Sequence, residues 1–276
     1  MLRQVPPIVR RHVSVLLLVF AIACAAHDVP VRNTHRYFTT YRQLSGPLFA
    51  PDGPSPYDVR QGEVGSCWLL AAMAATARQQ PQLIQRMFVP LKTGYRVTFH
   101  DDGRTPSVNV TADVPFRWFA STPLYADAER ATWVSLLEKA YAKAFAPQEG
   151  YEGIGGDLPR LALARFTGWP VRDYDIDGDL SGPDEAQEWD QLLAAYRGGR
   201  PMVAGSRIAQ VRADVVPMHA YAVTAIGSDP HGVAFISLFD PEGLNAYPNS
   251  ELRLTLDEFV AYFYYVSIAE PPVEGE

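Results

Sequence analysis

The chain has 276 residues, 47% of them hydrophobic and 20% charged, a composition that suits one folded unit with room for two subdomains and excludes a disordered or fibrous chain. A net charge of -7 and a pI near 5.4, with no Lys/Arg cluster outside the N-terminus, argue against an electrostatic nucleic-acid surface, so no nucleic-acid partner is expected.

Arg3, Arg10 and Arg11 precede an apolar run from Val13 to about Ala26 that is too short to span a bilayer comfortably, so residues 1–26 read as a secretory signal. Ala23-Cys24-Ala25 suits ordinary signal cleavage, whereas "AIAC" resembles a lipoprotein box with Cys24 as the lipidated residue; an uncleaved anchor is the competing reading. On the signal reading the mature protein is exported: periplasmic, secreted or lipid-anchored to the envelope, with membrane contact only through the signal or the lipid. Either cleavage leaves Cys67 as the one free thiol of the mature chain, because the sequence has two cysteines. An exposed leftover thiol in an oxidising compartment is a liability unless it is buried or useful.

Residues 27–56 are polar and rich in Pro and Gly, without sustained periodicity, and read as a linker or extended arm. Ala- and Leu-rich residues from Trp68 to Gln80, free of Gly and Pro, predict a helix that Ser66 is placed to cap. "YRVTFHDDGRTPSVNVTADV" alternates apolar and polar residues around Asp101-Asp102-Gly103, the pattern of a β-hairpin. In "ERATWVSLLEKAYAKAFA" the residues Trp133, Leu136, Leu137, Ala140, Tyr141 and Ala144 fall on one helical face. "GYEGIGGDLPRLALARFTG" reads as a glycine turn leading into a helix, and "PDEAQEWDQLLAAYRGG" as an amphipathic helix with an acidic first turn and Gly198 at its end. "PMVAGS", "HAYAVTAIG", "VAFISLF" and "ELRLTL" are short β-branched or aromatic runs, followed by a final helix near Leu256 to Phe263. Helices first and strands later predict an α+β fold over residues 57–270, with a helical subdomain to about residue 168 and a β-rich one from about 169.

Cys67 falls in the predicted first turn of a helix, where unpaired backbone NH groups and the helix dipole favour an anion. Gln61 stands six residues before it, across a turn containing Gly62 and Gly65, so its amide can return beside the sulfur as an oxyanion donor together with the Cys67 NH. Small Gly65 and Ser66 leave room for a substrate carbonyl. A small buried hydrophobe on an Ala-rich helix is the competing reading of Cys67, and spacing leaves both open. Of six histidines, His219 alone starts an apolar strand, which fixes the ring either as a catalytic base or as a hydrogen-bonded core histidine. Asp240, at the end of "VAFISLFD" and before Pro241, is either the group that orients that ring or an ordinary turn aspartate. Asp175, Asp177 and Asp179 in "DIDGDLSGPDE" are spaced like the start of a calcium loop, but no Gly or distal Glu sits where such a loop needs one, so a solvated acidic loop is expected.

Three ordered segments resemble the catalytic core of calpain-family, papain-like cysteine peptidases: "QGEVGSCWLLAA" the active-site helix, "WVSLLEKAYAKAFA…YEGIGG" the helix and glycine turn that follow, and "HAYAVTAIG" the histidine strand. The resemblance runs from Asp58 to about Asn245. It implies a papain-like fold with the Cys67 helix and the His219 strand on two subdomains and the cleft between them. It further implies Cys67 as nucleophile, His219 as base and then acid, Gln61 as oxyanion donor, and a protein or peptide substrate. Two departures matter. Where the family carries Asn-Pro-Trp-Gly, this chain has Asp240-Pro241-Glu242-Gly243, so an aspartate takes the orienting position. Asp58 matches one family calcium-ligand position, but Ala131 replaces the glutamate expected two residues before Trp133, and "GLNAYPNSE" has a single carboxylate. The expectation is a core without a cofactor that does not require calcium. Folds of this kind also host amidase or transglutaminase-type acyl transfer, here on cell-wall peptides, and silent binding modules, which remain the alternatives. Oligomeric state has no signature in the sequence.

Overall fold

The computed structural model describes residues 38–127, 130–176, 183–209, 212–242 and 251–272, with the backbone alone for 183–187. The predicted signal, Cys24, His12, His27, His35, Asp177, Asp179 and Gly243 lie outside the described residues. Among those described, no helix is long and apolar enough to cross a membrane.

The segment read as a linker is built into the fold from Phe38 onward. Strand β1 (Thr39–Gln43) pairs antiparallel with β5 (Asp113–Arg117), and Leu44, Leu48, Phe49 and buried Ala50 pack on the core. Their apolar side chains are scattered among Pro and Gly, which hides them from a periodicity test.

Helix α1 (Cys67–Gln79) begins at the cysteine itself, and Pro81 opens α2 (Pro81–Met87) directly after it. Strands β2 (Phe88–Pro90), β3 (Tyr95–Thr98) and β4 (Ser107–Val110) form a small antiparallel sheet. The predicted hairpin turn lies between β3 and β4, with Asp102 and Gly103 at φ 49° and 74°, the left-handed pair that a tight hairpin turn demands. Helix α3 (Trp133–Phe145), a 3₁₀ turn at Gly150–Ile154 and helix α4 (Pro159–Thr167) complete the helical part.

Strand β6 (Val171–Asp175) and helix α5 (Pro183–Arg197) lead into β7 (Met202–Ser206), β8 (Ala220–Ser228), β9 (Ala234–Phe239), β10 (Glu251–Thr255), helix α6 (Leu256–Tyr262) and β11 (Phe263–Ala269). One six-stranded sheet, in the order β10-β9-β8-β7-β11-β6, is antiparallel at every joint. The architecture is therefore α+β, as expected.

Alternation along β8 welds the two parts together. Ala220 and Ala222 point into a core shared with α1, α3 and α4, while Tyr221 and Val223 point into a second core with α5 and α6. Helix α1 meets the sheet through small residues, Ala71, Ala72, Ala74 and Ala75, all fully buried. Small side chains on both surfaces allow the close approach that brings the N-terminus of α1 to the start of β8.

Candidate active site

Cys67 is the first residue of α1, only partly buried, and His219 immediately precedes β8. The His219 ring and the backbone at Ala220 and Trp68 lie close enough to the Cys67 sulfur to act on its ionisation. Burial alone pushes the Cys67 thiol up, but the hydrogen bond and charge of His219, with those two backbone groups, outweigh it and hold the thiol below its ordinary value. Burial likewise works against an imidazolium at His219, yet Asp240 and Cys67 overcome it and raise the ring to about 10. Both shifts favour a thiolate-imidazolium pair.

Asp240 follows β9, the neighbour of β8, so the sheet brings it to the ring. His219 Nε2 and Asp240 Oδ1 are 2.8 Å apart, with 6% and 4% of the two residues exposed. Nε2 is thereby committed to Asp240, leaving Nδ1 for the sulfur. The NH of Glu242 donates to the same Oδ1 at 2.9 Å, while Oδ2 is buried with no hydrogen-bond partner among the described residues.

The main chain of His219 is clamped from β7. Its NH donates to Ser206 Oγ and its carbonyl accepts from the Ser206 NH, both at 2.9 Å. Met218, just before it, is exposed and held at φ 52°, a left-handed conformation unusual for a side chain of that size.

Gln61 is half-buried in the turn before α1, with its Nε2 donating to Val64 O at 3.1 Å. An amide nitrogen carries two hydrogens, so Nε2 has one beyond its bond to Val64, and the Cys67 NH lies among the helix-start NH groups that have no intrahelical acceptor. A Cβ on Gly62 would fall 2.3 Å from the Tyr125 carbonyl oxygen, so only glycine lets the turn pass there, whereas a Cβ on Gly65 would meet open space. Ser66 departs from expectation. It stands at the cap position of α1 but makes no cap hydrogen bond, because its hydroxyl is turned to Glu138.

Asp58 is not part of this constellation. Its Oδ2 accepts from Trp133 Nε1 at 2.8 Å and from the Ser55 NH at 2.9 Å. Its Oδ1 faces Arg130 Nη1 at 3.7 Å, and Arg130 also pairs with Asp52. A calcium ion needs six or more oxygens, roughly. With a guanidinium already beside Asp58 and Ala131 in place of a carboxylate, these residues do not fit one. Neither the Arg130–Asp58 pair nor the Ser66–Glu138 bond was legible in the sequence, because each joins residues more than 70 positions apart.

The chain matches the model of the family described as calpain family cysteine protease over residues 35–249. Calpain-5 of Mus musculus is 29% identical over 222 residues, covering 72% of this chain and 34% of that protein. The calpain-1 catalytic subunit of Rattus norvegicus is 30% identical over 196 residues, covering 66% of this chain and 26% of that protein. The chain thus spans about a third or less of the length of these relatives. Among solved structures, digestive procathepsin L 3 of Tenebrio molitor larval midgut aligns with 83% of this chain and 72% of its own, at 16% identity and a TM-score of 0.33.

Proposed function

The chain belongs to the calpain family of cysteine proteases, and we propose that it is a cysteine endopeptidase acting on protein or peptide substrates through Cys67, His219 and Asp240. The observation that supports this reading is the placement of Cys67 at the start of α1 close to the His219 ring, whose Nε2 is 2.8 Å from Asp240 Oδ1, with the thiol held low and the imidazole held high.

In this mechanism the Cys67 thiolate attacks the scissile carbonyl carbon, and the carbonyl electron pair moves to an oxyanion that accepts from the Cys67 NH and Gln61 Nε2. As the oxyanion collapses the C–N bond breaks, and the proton on His219 Nδ1 goes to the leaving amine. Nδ1 then removes a proton from water, whose oxygen attacks the thioester. Collapse of that second oxyanion releases the acid and regenerates the thiolate. Asp240 holds the ring through Nε2 and balances its positive charge during each transfer.

We also propose that the core needs no calcium, because Arg130 supplies the positive charge beside Asp58. The protein is proposed to act after export, on the strength of the basic and apolar N-terminal run. The test of the central reading is labelling of the folded protein by a thiol-directed epoxide, together with cleavage of an unfolded protein substrate. Labelling and cleavage are expected in wild type and lost in Cys67→Ala and His219→Ala. Absence of both in folded wild-type protein would overturn it.

A further inference from the structure

Glu138 lies on α3, fully buried, and the proposed mechanism makes no use of it. Its Oε1 is 2.8 Å from Ser66 Oγ, and its Oε2 accepts from the Ala126 NH at 2.8 Å. Ser66 is also fully buried. Lys139, the next residue, turns instead to Thr111 and Asp113, and no cation pairs with Glu138 among the described residues.

One turn earlier on the same helix, Ser135 Oγ donates to the Ala126 carbonyl at 2.6 Å, so α3 holds both backbone groups of residue 126. The adjoining Tyr125 carbonyl is the one that forces residue 62 to be glycine. Helix α3 therefore grips the turn 61–66 at two points: at Gly62 through the 125–126 backbone, and at Ser66 through Glu138. The Ser66–Cys67 peptide carries the Cys67 NH; its plane sets the direction of that NH and, together with the helical φ of Cys67, the direction of the Cα–Cβ bond.

We propose that Glu138 is the positioning residue for the nucleophile: by joining Ser66 to Ala126 it fixes the Ser66–Cys67 peptide and so aims the Cys67 sulfur and NH into the cleft. The inference rests on Cys67 being the nucleophile. A displacement of about 1 Å at a reacting group can lower a rate about 100-fold, so a rigid tether one residue from the sulfur has a direct kinetic consequence. Burial raises the Glu138 carboxyl to about 7, against the pull of the Ala126 NH and the Ser66 hydroxyl. Ser66 Oγ donates to Oε1 and the Ala126 NH to Oε2; glutamine keeps the tether, its Oε1 accepting from the Ala126 NH and its Nε2 donating to Ser66 Oγ once that hydroxyl turns.

The test follows iodoacetamide alkylation of Cys67 across pH, and peptide hydrolysis, in wild type, Glu138→Gln, Glu138→Ala and Ser66→Ala. Glu138→Gln is expected within about 3-fold of wild type on both readouts. Glu138→Ala and Ser66→Ala are expected to lose about 10-fold or more in kcat with KM little changed. Their alkylation is also expected to begin at higher pH, because a sulfur that drifts from His219, the charged partner facing it, loses the group that keeps it ionised. A folded Glu138→Ala protein with the wild-type kcat and alkylation profile would overturn the proposal, as would a Glu138→Gln protein as impaired as the alanine variant. If Glu138→Ala fails to fold, Ser66→Ala decides: a wild-type profile there overturns the proposal and a shifted one supports it. If wild-type protein hydrolyses no peptide, the peptidase reading fails, while the alkylation profiles still read the positioning.

Discussion

The backbone NH of Gln61 donates to the carbonyl of Pro241 at 2.7 Å. That bond ties the proposed oxyanion donor to the residue following Asp240, so the turn in front of Cys67 and the turn after Asp240 share one anchor. Changes at Asp240 are therefore expected to report on charge, hydrogen bonding and placement together, and the choice of substitution separates them.

Asp240→Asn keeps an oxygen for His219 Nε2 and puts an NH2 where Oδ2 already lacks a hydrogen-bond partner among the described residues. It removes the negative charge that helps raise the His219 ring to about 10. The imidazolium then loses its proton at lower pH, so the alkaline limb of kcat/KM should move down by about a unit or more. Activity near pH 7 should stay within about 10-fold of wild type. Asp240→Ala leaves the ring unoriented and should lose most activity. Equal pH profiles in wild type and Asp240→Ala would remove Asp240 from the site.

His219→Ala removes the first group that opposes burial at Cys67. The thiol pKa should then rise, so the thiolate fraction falls at every pH below it. Alkylation of the variant at pH 6 is expected to slow by about 100-fold, with the loss shrinking as pH increases. Unchanged alkylation at pH 6 would show that the helix terminus, not the imidazole, keeps the sulfur ionised.

Calcium chelation should leave activity unchanged. Arg130→Ala exposes the need for the guanidinium: Asp58 Oδ1 is buried, and no hydrogen bond among the described residues satisfies it. Loss of the ion pair is expected to lower stability by about 1–2 kcal/mol, measured by urea denaturation. Activity abolished by a chelator and restored by calcium would refute the calcium-independent reading.

The parts of this molecule legible in the sequence are those whose cause is local. The Ala-rich run after Cys67 can only bury itself as a helix, and the Asp102-Gly103 turn carries its own backbone preference. The start of β8 was legible because His219 opens an alternating apolar run. What the sequence concealed depends on distant partners. Strand β11 follows α6 without a Gly or Pro between them, and it is a central strand only because β7 and β6 flank it. In "LLEKAYAK" the charged pair Glu138 and Lys139 carries no local signal of burial, yet both are fully buried. Their partners, Ser66, Ala126, Thr111 and Asp113, lie on other elements. Ser66 misled for the same reason: a hydroxyl placed to cap its own helix found a stronger partner in a buried carboxyl.

That carboxyl makes a thermodynamic prediction independent of catalysis. Burial raises Glu138 from an ordinary value of 4.5 to about 7, outweighing the two hydrogen bonds that favour the charged form. Between those pH values the unfolded chain has released the proton while the folded chain still holds it. The unfolded state thus binds fewer protons, and stability falls as pH rises through this window, by about 3 kcal/mol in all. Above the folded value both states are ionised and the slope vanishes. Glutamine at this position cannot ionise, so the melting temperature of Glu138→Gln relative to wild type should climb by roughly 5–10 °C between pH 4.5 and pH 7.5. Parallel melting curves across that range would mean that Glu138 titrates at its ordinary value in the folded protein, with water or a cation reaching a carboxyl that the packing of α3 against the Ser66 turn otherwise seals off.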